Sequence, residues 1–224
     1  MKIRTWKRMP RKRNTRYAAI TVDIRGSRNI ADFRKERDHR LKPLRRLHQA
    51  DKLILSDYAV TAWDEFEGLA MPKSVPTIIL DLRRHFYPLR LWIGVGFGTV
   101  SDPHRKPINV FAGGEAFERA REAINIIKSK RNKSRSSTAF LSGNSEFDLL
   151  ANTIYHLHDT LMERITSKQW QTINARISLK NQEEAATKLG VDTSSVSRTL
   201  RRGFYNQIEE TQTTMTFLCE KYFP

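Results

Sequence analysis

A single cysteine, Cys219, occurs in the 224 residues, which excludes an internal disulfide and fits a reducing cytoplasm, the expected location. No apolar run approaches the roughly 20 residues needed to cross a bilayer, so no membrane partner is expected. The N-terminus is basic but lacks the apolar stretch and small-residue cleavage site of a secretory signal. The six histidines, His39, His48, His85, His104, His156 and His158, show no zinc-ligand spacing, since even the His156/His158 pair lacks cysteine partners. There is no internal repeat. Acidic residues are also scarce, with 24 Asp and Glu against 40 Lys and Arg, a net charge of +16. A field of that sign is most often complemented by a polyphosphate, which puts nucleic acid ahead of anionic lipid as a partner.

Hydrophobic residues at 39% and charged residues at 29% are compatible with a globular chain, long enough for one medium domain and a smaller one. Residues 1–16 carry eight basic and no acidic side chains and read as a flexible arm, and a second basic run at 128–135 reads as a surface loop.

Residues 17–142 form the first expected unit. YAAITVD (17–23) is a β-branched strand that ends on a carboxylate, followed by the turn residues Arg25, Gly26 and Ser27. A helix is expected over about 30–50, with Pro43 as its start or a kink. Residues 53–63 and 66–70 read as a hairpin with Asp64 and Glu65 at its tip. A helix at 74–87 precedes LRLWIGVGFGTV (89–100), whose period-two alternation sets Trp92, Gly94, Gly96 and Gly98 on one face. That glycine face admits close approach, either of a packed helix or of a nucleotide. A helix at 114–128 and a strand near 137–141 complete the order βαββαβαβ.

Neighbouring strand ends in such a sheet bring Asp23 close to Asp64. Paired carboxylates of this kind suit Mg²⁺ or Mn²⁺, which take oxygen ligands and bridge to phosphates. The segment Ile24-Arg25-Gly26-Ser27-Arg28 then stands at a helix N-terminus, where backbone N–H groups attract phosphate. Plainer roles compete: Asp23 as a cap, Asp64 and Glu65 as solvated turn residues.

DIRGSR after the first strand, DEFEGL at the hairpin and GVGFG in the fourth strand fall in the order seen in class III nucleotidyl cyclases and GGDEF-type cyclases. Over roughly residues 17–210 the chain more closely resembles the SatD family, with an Ile-Xaa-Asp start, an acidic hairpin, an Ala-Arg helix and a C-terminal helix-turn-helix. The resemblance implies an α+β fold: a ferredoxin-like, palm-type βαββαβ sheet domain followed by an all-α helix-turn-helix domain. It implies Asp23, Asp64 and the Ile24 carbonyl as metal ligands. The chain departs from it at Trp63, where those families have glycine, and at Val60, where a purine-selecting lysine would stand. Glu118 and Glu122 replace the expected Asn and Arg, although Arg119 and Arg121 lie one residue away. The expected outcome is a sensing domain that has lost catalysis, with Arg25, Gly26, Ser27, Arg28, Trp63 and Arg121 as candidates to contact a nucleotide effector.

The second expected unit, 145–224, opens with a long amphipathic helix capped by Ser145 and a second helix over about 167–177. NQEEAATKLGVDTSSVSRTLRRGFYNQIEE follows, with Ala185 and Ala186 for close helix contact, Gly190 at a turn, Val191 packed beneath it, and Val196 and Leu200 facing inward on the next helix. This resembles the helix-turn-helix ends of sigma factors and LuxR-type regulators. Double-stranded DNA is the implied partner. Ser194, Ser195, Ser197 and Arg198 are placed for base edges, and Thr193, Arg201 and Arg202 for phosphates. A helical hairpin serving only dimerisation is the alternative. The apolar last segment is expected to dock on a partner subunit or on the first unit, and two half-sites favour a homodimer.

Overall fold

The computed structural model describes residues 15–103, 113–129 and 136–224. The expected basic arm lies outside these residues except for Thr15 and Arg16, as does the basic loop beyond Ser129. The architecture is α+β, with a five-stranded mixed sheet and, among the described residues, eight α-helices. Strand β1 (Tyr17–Ile24) leads to α1 (Phe33–Ala50), then β2 (Ala59–Val60), β3 (Glu65–Ala70), α2 (Val75–Phe86), β4 (Leu91–Gly98), α3 (Glu115–Lys128) and β5 (Thr138–Leu141). Helices α4 (Ser145–Met162), α5 (Ser167–Ser178), α6 (Gln182–Leu189), α7 (Thr193–Arg202) and α8 (Tyr205–Tyr222) follow. None of the described helices is long and apolar enough to cross a membrane.

The sheet runs in the order β2-β3-β1-β4-β5. Strand β1 is antiparallel to both β3 and β4, and β5 joins β4 in parallel. The alternation along β1 divides the molecule, because successive side chains leave opposite faces. Ala18, Ile20, Val22 and Ile24 enter the main core with residues of α1, α2, α4 and α8. Ala19 faces the other way, into a smaller cluster with Ala116, Phe117 and Ala120 of α3.

The glycine face of β4 seats α3. A methyl group at Gly96 would lie 2.1 Å from the Ala116 carbonyl oxygen, and one at Gly94 would lie 2.3 Å from that of Ala120. Of the two uses expected for this face, helix packing is the one the structure displays.

Several element bounds differ from expectation. Of residues 53–63, only Ala59–Val60 form a strand, with Ile54 bridging Ala70; between them the Tyr58 ring is buried and the Tyr58 N–H donates to Asp57 Oδ1 at 2.7 Å. Pro43, expected at the start of the helix or at a kink within it, lies inside α1. Asn144, not Ser145, caps α4, its side chain accepting from the Phe147 N–H at 3.0 Å.

Packing continues across the expected boundary at 142–145. Phe147, Ala151 and Tyr155 of α4 belong to the core beneath the sheet, together with Met215, Leu218 and Cys219 of α8 and Phe223 just beyond it. Phe223 stacks on Phe97 of β4 with centroids 4.5 Å apart, so the apolar last segment docks on the sheet of its own chain. A second core gathers Trp170, Ile173, Ala185, Ala186, Val196, Leu200 and Ile208 around α5, α6 and α7, with Leu80 of α2.

Candidate functional site: an acidic sheet rim and an exposed basic helix

The sheet register brings the expected acids together. Asp23 lies opposite Glu65, and Thr21 opposite Glu67. The Ile24 N–H donates to the Asp64 carbonyl at 3.0 Å, which holds the hairpin tip against the end of β1. Ser27, buried, donates to Asp64 Oδ2 at 2.6 Å. Thr61 donates to Glu65 Oε1 at 2.7 Å, and Thr21 to Glu67 Oε1 at 3.1 Å.

Helix α3 supplies the countercharge. Arg121 and Lys128 are seven residues apart and therefore two turns along one helical face. The Arg121 guanidinium grips Glu67 with both ends, Nε to Oε1 at 3.0 Å and Nη2 to Oε2 at 3.1 Å. The Lys128 ammonium donates to Asp23 Oδ2. Burial pushes the Asp23 carboxyl above the ordinary carboxylate range; Lys128 pulls it back, while Asp64 and Glu65 push it further up. Negative charge in this basic chain therefore fastens α3 over one end of the sheet, where a carboxylate left unpaired would carry a large desolvation cost.

Asp23 and Asp64 meet on one rim, but each carboxylate already has a protein donor. Among the described residues no three His, Cys, Asp or Glu side chains gather as a metal site. As arranged, the rim carries the Lys128 ammonium against Asp23.

The remaining nucleotide candidates are distributed around this rim. Gly26 adopts a left-handed conformation (φ 72°), and the loop passes into a short 3-10 turn, Ser27–Asn29, so that α1 begins only at Phe33. The phosphate candidates of this loop thus precede a single tight turn rather than a full helix. Arg28 is exposed, whereas Arg25 lies over the Trp92 ring at 5.2 Å and within 3.6 Å of Glu163. Trp63 stacks on Phe33 with centroids 5.7 Å apart, and Arg34 covers its ring at 4.9 Å. The indole is thus carried by α1. Arg121 is occupied by Glu67, a residue that sequence reasoning missed; its signal was the pair of basic residues seven apart on the facing helix.

At the far end of the chain, α6 and α7 are joined through Gly190, whose φ of 66° is the left-handed conformation that ends α6. Val196 and Leu200 are buried, while Thr193, Ser194, Ser197, Arg198, Arg201 and Arg202 are exposed. Asp192 caps α7, accepting from the Ser195 N–H and the Ser195 hydroxyl, both at 2.7 Å, and from the Ser194 hydroxyl at 2.5 Å. These donors hold its carboxyl well below the usual range. Arg198 in turn donates to the Ser195 hydroxyl at 3.1 Å. Val191, expected packed beneath the turn, is 42% exposed and lines an open groove between α5 and α7.

Together these features define an α+β protein that joins a helix-clamped acidic sheet rim to a pair of short helices, the second with a basic outer face. The chain belongs to the SatD family, whose sequence profile matches residues 17–208, from the start of β1 into α8. No curated protein matches the sequence.

Proposed function

We propose that the protein is a DNA-binding transcriptional regulator in which α6 and α7 form a helix-turn-helix, and the sheet is a cyclase-like module that senses a nucleotide or metal without turning it over. The observation that supports this most directly is the division of α7, with Val196 and Leu200 buried and Ser197, Arg198, Arg201 and Arg202 facing outward. A helix so arranged presents short polar side chains and guanidinium groups to a groove while its apolar seam holds it on the scaffold. The cyclase-like part of the reading draws on the β2-β3-β1-β4 order, in which each β-α-β crossing leaves a strand between its partners, the split pattern of ferredoxin-like folds. Loss of chemistry agrees with Lys128 on Asp23 and Glu67 on Arg121. A homodimer reading two half-sites completes the proposal.

Filter binding of duplex DNA over a salt series tests it. Binding that weakens steeply with salt, and that falls when Arg198 and Arg201 become Ala, supports the proposal. No binding at low salt overturns it.

A second reading, a metal-dependent nucleotidyl cyclase or transferase, is favoured by the convergence of Asp23 and Asp64 on one rim. It requires Lys128 to leave Asp23. Incubation with each nucleoside triphosphate and Mg²⁺ or Mn²⁺, followed by chromatography, decides it: a product abolished by Asp23→Ala establishes the enzyme, and no product removes it.

A further inference from the structure

The end of β1, the start of β4 and the α4–α5 turn enclose a cleft of about 210 Å³. Its wall is apolar on the helical side, where Met162, Ile165 and Trp170 line it, and cationic on the sheet side, where Arg25 and Arg90 do. Arg83 also lines the cleft but is tied to Asp159. The one acid in the lining is Glu163, at the end of α4, which pairs with both guanidinium groups, 3.6 Å from Arg25 and 3.0 Å from Arg90. All three side chains are more than a third exposed, so these ion pairs are weak and readily exchanged. Glu163 is thus a carboxylate, supplied by the chain itself, occupying a site built for an anion.

We infer that this cleft binds a nucleoside monophosphate, its phosphate displacing Glu163 from Arg25 and Arg90 and its flat base lying against Tyr87, Pro88 and Leu89, which line the cleft and, unlike the buried Met162, Ile165 and Trp170, reach its surface. A phosphate monoester carries more charge than a carboxylate and presents three acceptors to the two guanidinium forks. The partly exposed ring of Tyr87, itself packed on Trp170 with centroids 5.9 Å apart, offers the stacking surface that bases take irrespective of sequence. The cleft, at about 210 Å³ smaller than a drug-sized pocket, leaves no room to enclose a triphosphate.

This inference rests on the sensor half of the proposed function and gives it a location away from the acid rim. It also supplies a route to α7. Glu163 terminates α4, and the next helix, α5, shares a core with α6 and α7 through Trp170, Val196 and Leu200. The sheet unit holds α5 by the Arg84–Asn174 hydrogen bond of 2.8 Å and the Tyr87–Ser167 hydroxyl contact of 3.0 Å. Release of Glu163 removes two of the ion pairs tying the α4–α5 turn to the sheet, so ligand and DNA become coupled by whatever difference the two arrangements have for α7.

Isothermal titration of the full chain with AMP, GMP, CMP and UMP, with inorganic phosphate as the comparison, tests the inference. At least one monophosphate is expected to bind. Arg90→Ala should weaken it by about tenfold or more and Glu163→Gln should tighten it, because the competing carboxylate is gone. No binding by any monophosphate, binding equal to that of inorganic phosphate, or binding unchanged in Arg90→Ala overturns it. Duplex binding measured on the same preparations separates the two readings: nucleotide binding without DNA binding leaves the cleft and removes the regulator, and the converse leaves the regulator and removes the cleft.

Discussion

The Lys128 ammonium donates to the Asp23 carboxylate at the end of β1, close to where Asp64 and Glu65 also lie. A cation of the protein's own therefore occupies the position that the cyclase resemblance would give to a metal. Replacing it should free the carboxylates: Lys128→Ala is expected to bind Mn²⁺ at least about tenfold more tightly than the wild type, since removing one positive neighbour raises the site's net negative charge. Electron paramagnetic resonance of free Mn²⁺ measures this. Equal affinity in the two proteins would show that these acids serve only to hold α3.

The bidentate pair between Arg121 and Glu67 makes a stability prediction. Glu67 is buried, so Arg121→Ala leaves an uncompensated carboxylate and should cost about 3 kcal/mol, at the low end for a broken buried pair because the guanidinium is itself 42% exposed. The double variant Arg121→Ala with Glu67→Gln should recover much of that loss. Urea unfolding of the three proteins provides the comparison, and a single variant as stable as the wild type refutes the clamp.

Gly96→Ala should be among the most damaging small changes in the chain. Its added methyl group would stand 2.1 Å from the Ala116 carbonyl oxygen, and the obstruction is backbone that cannot rotate away. Overpacking of this kind is expected to cost about 3 kcal/mol or more and to loosen α3 from the sheet. Hydrogen exchange along α3, read beside the denaturation midpoint, distinguishes a displaced helix from global loss of structure.

The alternation of strands and helices was legible because β1 and β4 carry uninterrupted β-branched or period-two runs, and because Gly190 and the Asp192 cap punctuate α6 and α7. The acid rim was legible as a convergence of Asp23 and Asp64, but not its neutralisation. Glu67 alternates with Phe66 and so reads as solvent-facing until α3 is laid across that face, bringing Arg121. Interior polar groups were equally hidden. Asp81 lies within IILDLRRHF, where its neighbours mark an amphipathic helix, yet it accepts from Arg84 at 2.7 Å and faces His48 Nε2 at 3.3 Å, and His48 meets the Tyr58 hydroxyl at 2.7 Å. The return of α8 to the sheet was one of two expected placements, since an apolar tail packs equally well on its own chain or on another.

Acid should destabilise the fold in two stages. Buried His158 has no hydrogen-bonding partner among the described residues, and Asp159 Oδ1 is 3.8 Å away from its Nδ1. Burial depresses its pKa below 6.5, with the Arg83 charge acting the same way and Asp159 opposing. The unfolded chain therefore binds this proton more readily, and stability falls as pH drops below about 6.5. Asp159 follows: burial, the largest single influence, raises its pKa, but Arg83, His158 and the Ser137 N–H together outweigh it and leave it at about 2, so its contribution is full above 3.8 and is lost as pH falls towards 2. Asp23 and Asp148, raised by burial, oppose this trend just above 3.8. Urea midpoints between pH 8 and pH 3 should show the decline, and His158→Leu should remove its upper stage. An unchanged upper stage in that variant would assign the loss elsewhere.

On the DNA-binding reading, the hydrogen bonds at the start of α7 divide its candidates into two groups. Asp192 engages the hydroxyl protons of Ser194 and Ser195 as well as the Ser195 N–H, so these two serines hold the helix end and meet bases only as acceptors. Ser197 remains exposed on the outer face, and Arg198 is aligned by its bond to the Ser195 hydroxyl, which steers its guanidinium before any base is met. Arg201 and Arg202, a turn further on, are suited to phosphates. Arg198→Ala should therefore lower affinity for a selected site by about 1–3 kcal/mol while barely changing affinity for unrelated duplex. Arg202→Ala should weaken both alike and reduce the slope of log affinity against log salt by about 1. Ser195→Ala should act on discrimination only through Arg198, so adding it to Arg198→Ala should have no further effect on site selection. Selection from a random duplex pool followed by salt titration of the winning site measures all three. Loss of discrimination in Arg202→Ala but not in Arg198→Ala would reverse the assignment of reader and anchor.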